Sequence, residues 1–283
     1  MTHAYLRVSC PDRPGIIAAF TDFVFRHGGN IQDLDQYADP ETGRFFMRLV
    51  WNVDRFALDQ DGVRLGIDVL ARSFKLHWEL NFDDRQDRVA VFCSKELHCL
   101  YDLLLRHRLG ELPCEVVFVA SNHPQGRDAA DYFGIPFVQI PVTPDNRAEA
   151  EARQRQLLDE YKIDLMVLAR YMQILSGPFV RAWERRIINI HHSFLPAFAG
   201  AKPYHQAKER GVKLIGATGH YATEDLDEGP IIEQDVARVT HRDTVDDLVR
   251  KGRDLERQVL ARAVRLHLQR RVLVEGNRTI VFG

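Results

Sequence analysis

Three short runs of the chain are almost wholly apolar: residues 89–93, 115–120 and 165–169. Such runs are too short for ordinary helices. Lacking polar alternation, they read as strands covered on both faces. Between them lie helical stretches at 96–109, 127–133 and 146–161, the last rich in Glu, Arg and Gln, with a short strand at 137–140. Alternation of strand and helix on this scale predicts a parallel, Rossmann-like sheet. The turn after the first strand is Ser94-Lys95-Glu96, so a GxGxxG dinucleotide fingerprint is absent.

The pattern on either side is different. Residues 4–9 alternate as a strand, and Asp12 with Pro14 suggests a capped helix start. Ile16, Ile17, Phe20, Phe23 and Val24 then fall at helical spacing until Gly28-Gly29. Strands at 30–37, 45–53 and 76–82 and a helix at 61–74 complete a βαββαβ unit of ferredoxin type. The charged, non-apolar segment 84–88 is the expected linker, giving domains at 1–83 and 89–283. Downstream, a helix is expected at 202–210 and strands at 213–222 and 231–239. A long amphipathic helix at 244–268 precedes a hairpin turning at Gly276-Asn277. The fold class is therefore α/β, an antiparallel ferredoxin-like module followed by a mostly parallel sheet.

Composition excludes several functions. The 283 residues carry a formal net charge of −2, without the basic excess of a nucleic-acid binder. Four cysteines have neither zinc-site nor disulfide-framework spacing and read as reduced thiols of a cytoplasmic protein. No basic segment and apolar run open the chain, and no apolar stretch reaches membrane-spanning length.

The segment Arg186-Ile187-Ile188-Asn189-Ile190-His191 reads as a strand entering a loop. Alternation places Asn189 and His191 on one side and Ile188 and Ile190 in the core. The carboxyl ends of strands in such sheets are where ligands bind. A neutral imidazole moves protons near pH 7, and an amide donates to a developing oxyanion. Asp227, in Leu226-Asp227-Glu228-Gly229-Pro230, supplies a carboxylate that would orient an imidazole. Alone, an Asn-x-His pair also fits a polar strand end, and Asp227 also fits a loop turn.

Together the motifs carry a resemblance. Asn189-Ile190-His191-x-Ser193-x-Leu195-Pro196 with Leu226-Asp227-x-Gly229-Pro230-Ile231-Ile232 resembles the formyltransferase superfamily that uses 10-formyltetrahydrofolate. Asp12-Arg13-Pro14-Gly15-Ile16 with Gly28-Gly29-Asn30-Ile31 resembles an ACT domain. Their combination is similar to the formyltetrahydrofolate deformylases, which hydrolyse 10-formyltetrahydrofolate to formate and tetrahydrofolate. That resemblance implies Asn189, His191 and Asp227 as the catalytic trio. It implies Met172, Gln173, Ile174 and Leu175 with Thr223, Glu224 and Asp225 as the walls of a folate pocket. His220, Tyr204 and Lys202 are expected around them. No metal or other cofactor is implied.

For the ACT module the resemblance implies an amino-acid effector near Asp12, Arg13, Gly15, Ile16, Asn30 and Ile31, and assembly into a homodimer or homotetramer. It also implies a role in formate supply for purine synthesis and in balancing the one-carbon folate pool. Two rivals remain at this point. One is a formyltransferase with an amine acceptor such as glycinamide ribonucleotide, which the glycine-free turn at 93–99 disfavours as a phosphate cradle. The other is an amino-acid sensor with an inert folate domain.

Overall fold

The computed structural model describes residues 2–196 and 203–283. The chain forms two compact units, the first comprising Met1–Gln86, Arg270–Glu275 and Thr279–Gly283. In this first unit β1 (His3–Pro11), α1 (Ile16–Arg26), β2 (Asn30–Asp39), β3 (Arg44–Asn52), α2 (Gln60–Phe74) and β4 (His77–Phe82) follow the βαββαβ order. The antiparallel sheet runs β2-β3-β1-β4. Phe20 and Val24 of α1 and Val63 and Ile67 of α2 bury their side chains against Leu6, Val8, Leu49 and Trp51. The expected cap at Asp12 is corrected. Gly15 occupies the N-cap with φ 93°, a left-handed conformation that glycine adopts freely, and supplies no side-chain cap; Asp12 N–H donates instead to the Gly43 carbonyl at 2.8 Å.

The second unit carries β5 (Asp87–Cys93), α3 (His98–Arg108), β6 (Cys114–Ser121), α4 (Arg127–Phe133), β7 (Phe137–Gln139), α5 (Arg147–Glu160), β8 (Leu165–Leu168) and α6 (Gly177–Ala182). It continues through β9 (Ile187–His191), α7 (Pro203–Glu209), β10 (Leu214–Tyr221), β11 (Ile231–Arg238) and α8 (Val245–Leu268). Seven strands pair in the order β11-β10-β9-β8-β5-β6-β7. The five strands from β9 to β7 are mutually parallel, as their apolar runs require, while β10 is antiparallel to both its neighbours. Phe92, Phe118, Met166, Phe179 and Ile187 are among the side chains of one core cluster. Helix α8 opens with a capping box between Thr244 and Asp247 and buries Leu248, Leu255, Val259 and Ala263. All four cysteines are free and buried. No helix of the described residues is long and apolar enough to cross a membrane.

The chain closes with the hairpin of β12 (Val272–Glu275) and β13 (Arg278–Val281), most of which groups with the first unit. There it accepts from two buried guanidinium groups: Arg7 donates to the Val272 carbonyl and Arg48 to the Arg270 carbonyl. Arg44 pairs with Glu275 at 2.6 Å, and Phe282 and Leu273 cover Phe46. Removing residues 270–283 would strip these partners together. The expected loss is on the order of 3 kcal/mol or more from the first unit, read as a lower unfolding temperature and faster proteolysis between residues 2 and 86. An unchanged melt would contradict it.

Candidate active site

Strand β9 ends where the sheet changes from parallel to antiparallel pairing. The register sets Asn189 opposite His220 and His191 opposite Thr218 on β10. The Asn189 amide nitrogen lies 3.2 Å from His220 Nε2. His220 Nδ1 is 3.0 Å from the Tyr221 carbonyl, which can only accept, so Nδ1 carries the proton. In the neutral ring Nε2 is then the acceptor for Asn189. His220, expected only near the site, thus orients the amide directly.

His191 is buried, and its Nδ1 lies 3.0 Å from Asp227 Oδ2. Its Nε2 is also buried and has no hydrogen-bond partner among the described residues. The carboxylate fixes the tautomer that donates through Nδ1, leaving an unsatisfied acceptor on the other nitrogen. Burial by itself raises the Asp227 carboxyl, but the His191 hydrogen bond and the nearby His220 ring hold it well below the usual carboxylate range. His220 Nε2 is 3.7 Å from Asp227 Oδ1, too far for a hydrogen bond in this geometry.

Local geometry explains how Asp227 reaches this place. Its φ of 60° is left-handed, an uncommon state that a short polar residue tolerates better than most. Two residues on, a Cβ on Gly229 would stand 1.8 Å from the Tyr221 carbonyl oxygen. Only glycine permits that approach, and Tyr221 N–H then donates to the Pro230 carbonyl at 3.0 Å. The loop after β9 is pinned as well. The Thr218 hydroxyl donates to the Ser193 carbonyl and accepts from Leu195 N–H and the Gln234 amide.

These groups open onto a cleft of about 470 Å³, a size suited to a small ligand. Met172, Gln173, Ile174 and Leu175 form one wall, and Thr223, Glu224 and Leu226 the other. Asp225 does not line it; its carbonyl accepts from the Thr223 hydroxyl and Glu228 N–H. Met172, Ile174 and Leu226 stand exposed on the rim, apolar surface with no cover among the described residues. The polar helix α5 supports the first wall from behind. Gln154 donates to Tyr171 Oη at 2.8 Å, Glu151 accepts from Ser176 N–H at 2.7 Å, and Arg147 donates to the Ile174 carbonyl. In the turn after β5, Ser94 donates to Asn122 at 2.6 Å and accepts from Met172 N–H at 3.0 Å. That hydroxyl serves the wall and is already engaged.

Tyr204 is buried and donates to Glu256 at 2.8 Å. A Cβ on Gly252, one turn before Glu256, would meet that hydroxyl at 1.9 Å, so the glycine makes the pair possible. Glu256 also lies 2.8 Å from His98 Nε2 and 3.3 Å from Arg170 Nε. Despite burial, which raises a carboxyl, these partners keep Glu256 below its ordinary value. His98, Cys99 and Glu256 have ligand atoms within 4.8 Å of one another. Arg170 already neutralises that carboxylate, however, and burial pushes the Cys99 thiol far up, so the donor set suits a charge cluster better than a metal. No sequence periodicity flagged Glu256 or Gly252; both lie on the inner face of α8 at positions where apolar residues are expected. Lys202 lies outside the described residues.

In the first unit, Asp12, Arg13, Gly15 and Asn30 are exposed, Ile31 is half-buried and Ile16 is buried. Arg13 donates to the Ser73 carbonyl and stacks over Phe74 with its guanidinium carbon 4.7 Å from the ring centre.

Comparison with known proteins matches residues 87–264 to the formyl transferase family and residues 4–55 to the ACT domain. The chain is 55% identical over 280 residues to a formyltetrahydrofolate deformylase of Synechocystis sp., covering 99% of this chain and 98% of the relative. It is 51% identical to one of Bacillus subtilis, covering 98% and 93%. The crystal structure of a formyltetrahydrofolate deformylase from Pseudomonas syringae superposes with a TM-score of 0.96 at 47% identity, covering 100% of this chain and 95% of that one.

A carboxyl held down in the folded state adds stability above its unfolded pKa of about 3.9 and loses it only as pH falls toward the folded value. Carboxyl ¹³C titration should therefore find Asp227 still ionised at about pH 3, where an ordinary aspartate is mostly protonated. Half-protonation near pH 4 would show that His191 and His220 do not hold it.

Proposed function

The chain belongs to the formyltetrahydrofolate deformylase family, and on that premise we propose that it hydrolyses 10-formyltetrahydrofolate to formate and tetrahydrofolate through Asn189, His191 and Asp227. One observation carries the assignment of roles: a buried His191 Nε2 with no partner among the described residues, on a ring whose other nitrogen is tied to Asp227, in the cleft that Asn189 also lines.

The pterin ring enters between 172–175 and 223–226, where exposed Met172, Ile174 and Leu226 offer apolar cover. The formyl carbonyl lies against the Asn189 amide. Water approaches the formyl carbon with one O–H directed at His191 Nε2. As the C–O bond forms, the proton passes to Nε2 and the carbonyl electron pair moves to oxygen, where the Asn189 N–H stabilises it. Asp227 stabilises the imidazolium so formed. The tetrahedral intermediate then expels N10, which takes the proton from His191, and formic acid ionises in solution. The chemistry calls on side chains alone, with no metal or redox cofactor.

Water is favoured over a phosphorylated amine as acceptor by the turn after β5, which lacks glycine and has its one hydroxyl engaged. The reaction supplies formate for purine synthesis and balances the one-carbon folate pool. The ACT module binds a small amino acid near Asp12, Arg13, Gly15, Ile16, Asn30 and Ile31, and assembly is as a homodimer or homotetramer.

Incubation with 10-formyltetrahydrofolate and no amine should yield formate and tetrahydrofolate in equal amounts; no formate would remove the hydrolytic reading. His191→Ala and Asp227→Asn should lower kcat by about 10²–10⁴ and Asn189→Ala by about 10²–10³, with unfolding temperatures little changed. Near-normal turnover in any variant would take that residue out of the mechanism. Glycine or methionine should shift the wild-type rate, and an Asp12→Ala variant should lose the shift. A rate indifferent to both amino acids would remove them as effectors.

A further inference from the structure

Strand alternation sends His192 away from His191, but β9 stops at His191 and the chain turns. The His192 ring comes back beside that of His191, with centroids 5.1 Å apart and planes at 41°, and it lines the same cleft. Neither of its nitrogens has a hydrogen-bond partner among the described residues. Tyr204, 6.2 Å from it between ring centres, packs on it and is itself held by Glu256. Arg170 and Glu256 on this side, and His191 and Asp227 on the other, are the charged or titratable groups that face the ring. Burial first, and the Arg170 charge second, lower its pKa to about 4. A neutral imidazole is thus held rigidly in the cleft, its nitrogens unclaimed, against the residue that takes the proton.

We propose that His192 is a water-binding catalytic residue, the second acceptor that holds the attacking water in place. A water that donates one hydrogen to His191 Nε2 and the other to a His192 nitrogen has both O–H bonds directed into the protein. Its lone pair then faces the formyl carbon. The neutral state matters because an imidazolium would donate to that lone pair and block attack. During the reaction the proton moves to His191 alone, and the hydrogen bond to His192 persists into the tetrahedral intermediate, where it holds the new hydroxyl. The arrangement also favours water over an amine carrying a substituent, which has no room for its substituent between two rings that both demand a hydrogen. The proposal rests on the hydrolytic reading above and refines it.

The test is a set of variants of the full chain, assayed for formate release without amine, with product affinity measured by tetrahydrofolate binding. His192→Phe keeps the ring packing against Tyr204 and His191 and removes the acceptor. It should lower kcat by about 10- to 100-fold with KM and tetrahydrofolate affinity unchanged, the scale expected when a reactant loses its orientation. His192→Gln, which retains a neutral acceptor, should recover a substantial part of that loss. His192→Phe at wild-type kcat, or His192→Gln as slow as His192→Phe, would overturn the proposal. So would a loss confined to KM, which would assign His192 to folate binding. If His192→Phe does not fold, His192→Gln against His192→Leu decides the same point, with the glutamine variant expected to be the faster. Failure of the wild-type chain to release formate would instead defeat the hydrolytic reading itself.

Discussion

The hydrogen bond between Asp227 and His191 is the constraint on which the candidate site depends. It determines which imidazole nitrogen is free, and so where a proton can go. The bond joins the end of β9 to a loop between β10 and β11, segments 36 positions apart in sequence. Neither end is left to chance. Thr218 ties down the loop that follows His191, and the close pass of Gly229 over the Tyr221 carbonyl fixes the one that carries Asp227. Asp227 itself is left-handed, a conformation that persists where the surroundings over-determine it and that collects at functional sites.

A second theme is where polar groups are buried. An unpaired buried polar group costs on the order of 1–3 kcal/mol, so those retained must be bonded, and bonded groups are rigid. Glu151 and Gln154 on α5 spend no surface on solvent; they grip the 171–176 segment. Glu256 on α8 joins Tyr204, His98 and Arg170 behind His192. Gln154 Oε1, Arg170 Nε and His191 Nε2 are nonetheless buried without a hydrogen-bond partner among the described residues, and of these His191 Nε2 is the one whose ring is tied to Asp227. A folded chain tolerates such an atom where its missing partner is a reactant.

Much of this was legible in the sequence because it is local. The apolar runs at 89–93, 115–120 and 165–169 could be little other than covered strands, and period-two alternation correctly paired Asn189 with His191 on one side. The βαββαβ order followed from spacing alone. What stayed hidden is what depends on contacts between distant segments. The polar composition of the helix at 147–160 carried no sign that Glu151 and Gln154 have partners in the cleft wall. Alternation misdirected His192, since the strand ends one residue earlier and the rule ends with it. The Asp12 cap failed because Gly15, free to go left-handed, starts the helix three residues later. Glu256 and Gly252 gave no local sign, as their roles exist only once α7 lies beside α8.

The central claim is that Asp227 fixes His191 as the tautomer protonated on Nδ1, leaving Nε2 to receive the proton of water. Two-dimensional ¹⁵N–¹H correlation of the His191 ring in the free protein, at mildly alkaline pH, tests this directly. The expected result is a protonated Nδ1 and a bare Nε2, with the pattern lost in Asp227→Asn. A ring protonated on Nε2 in the wild-type chain would contradict the account.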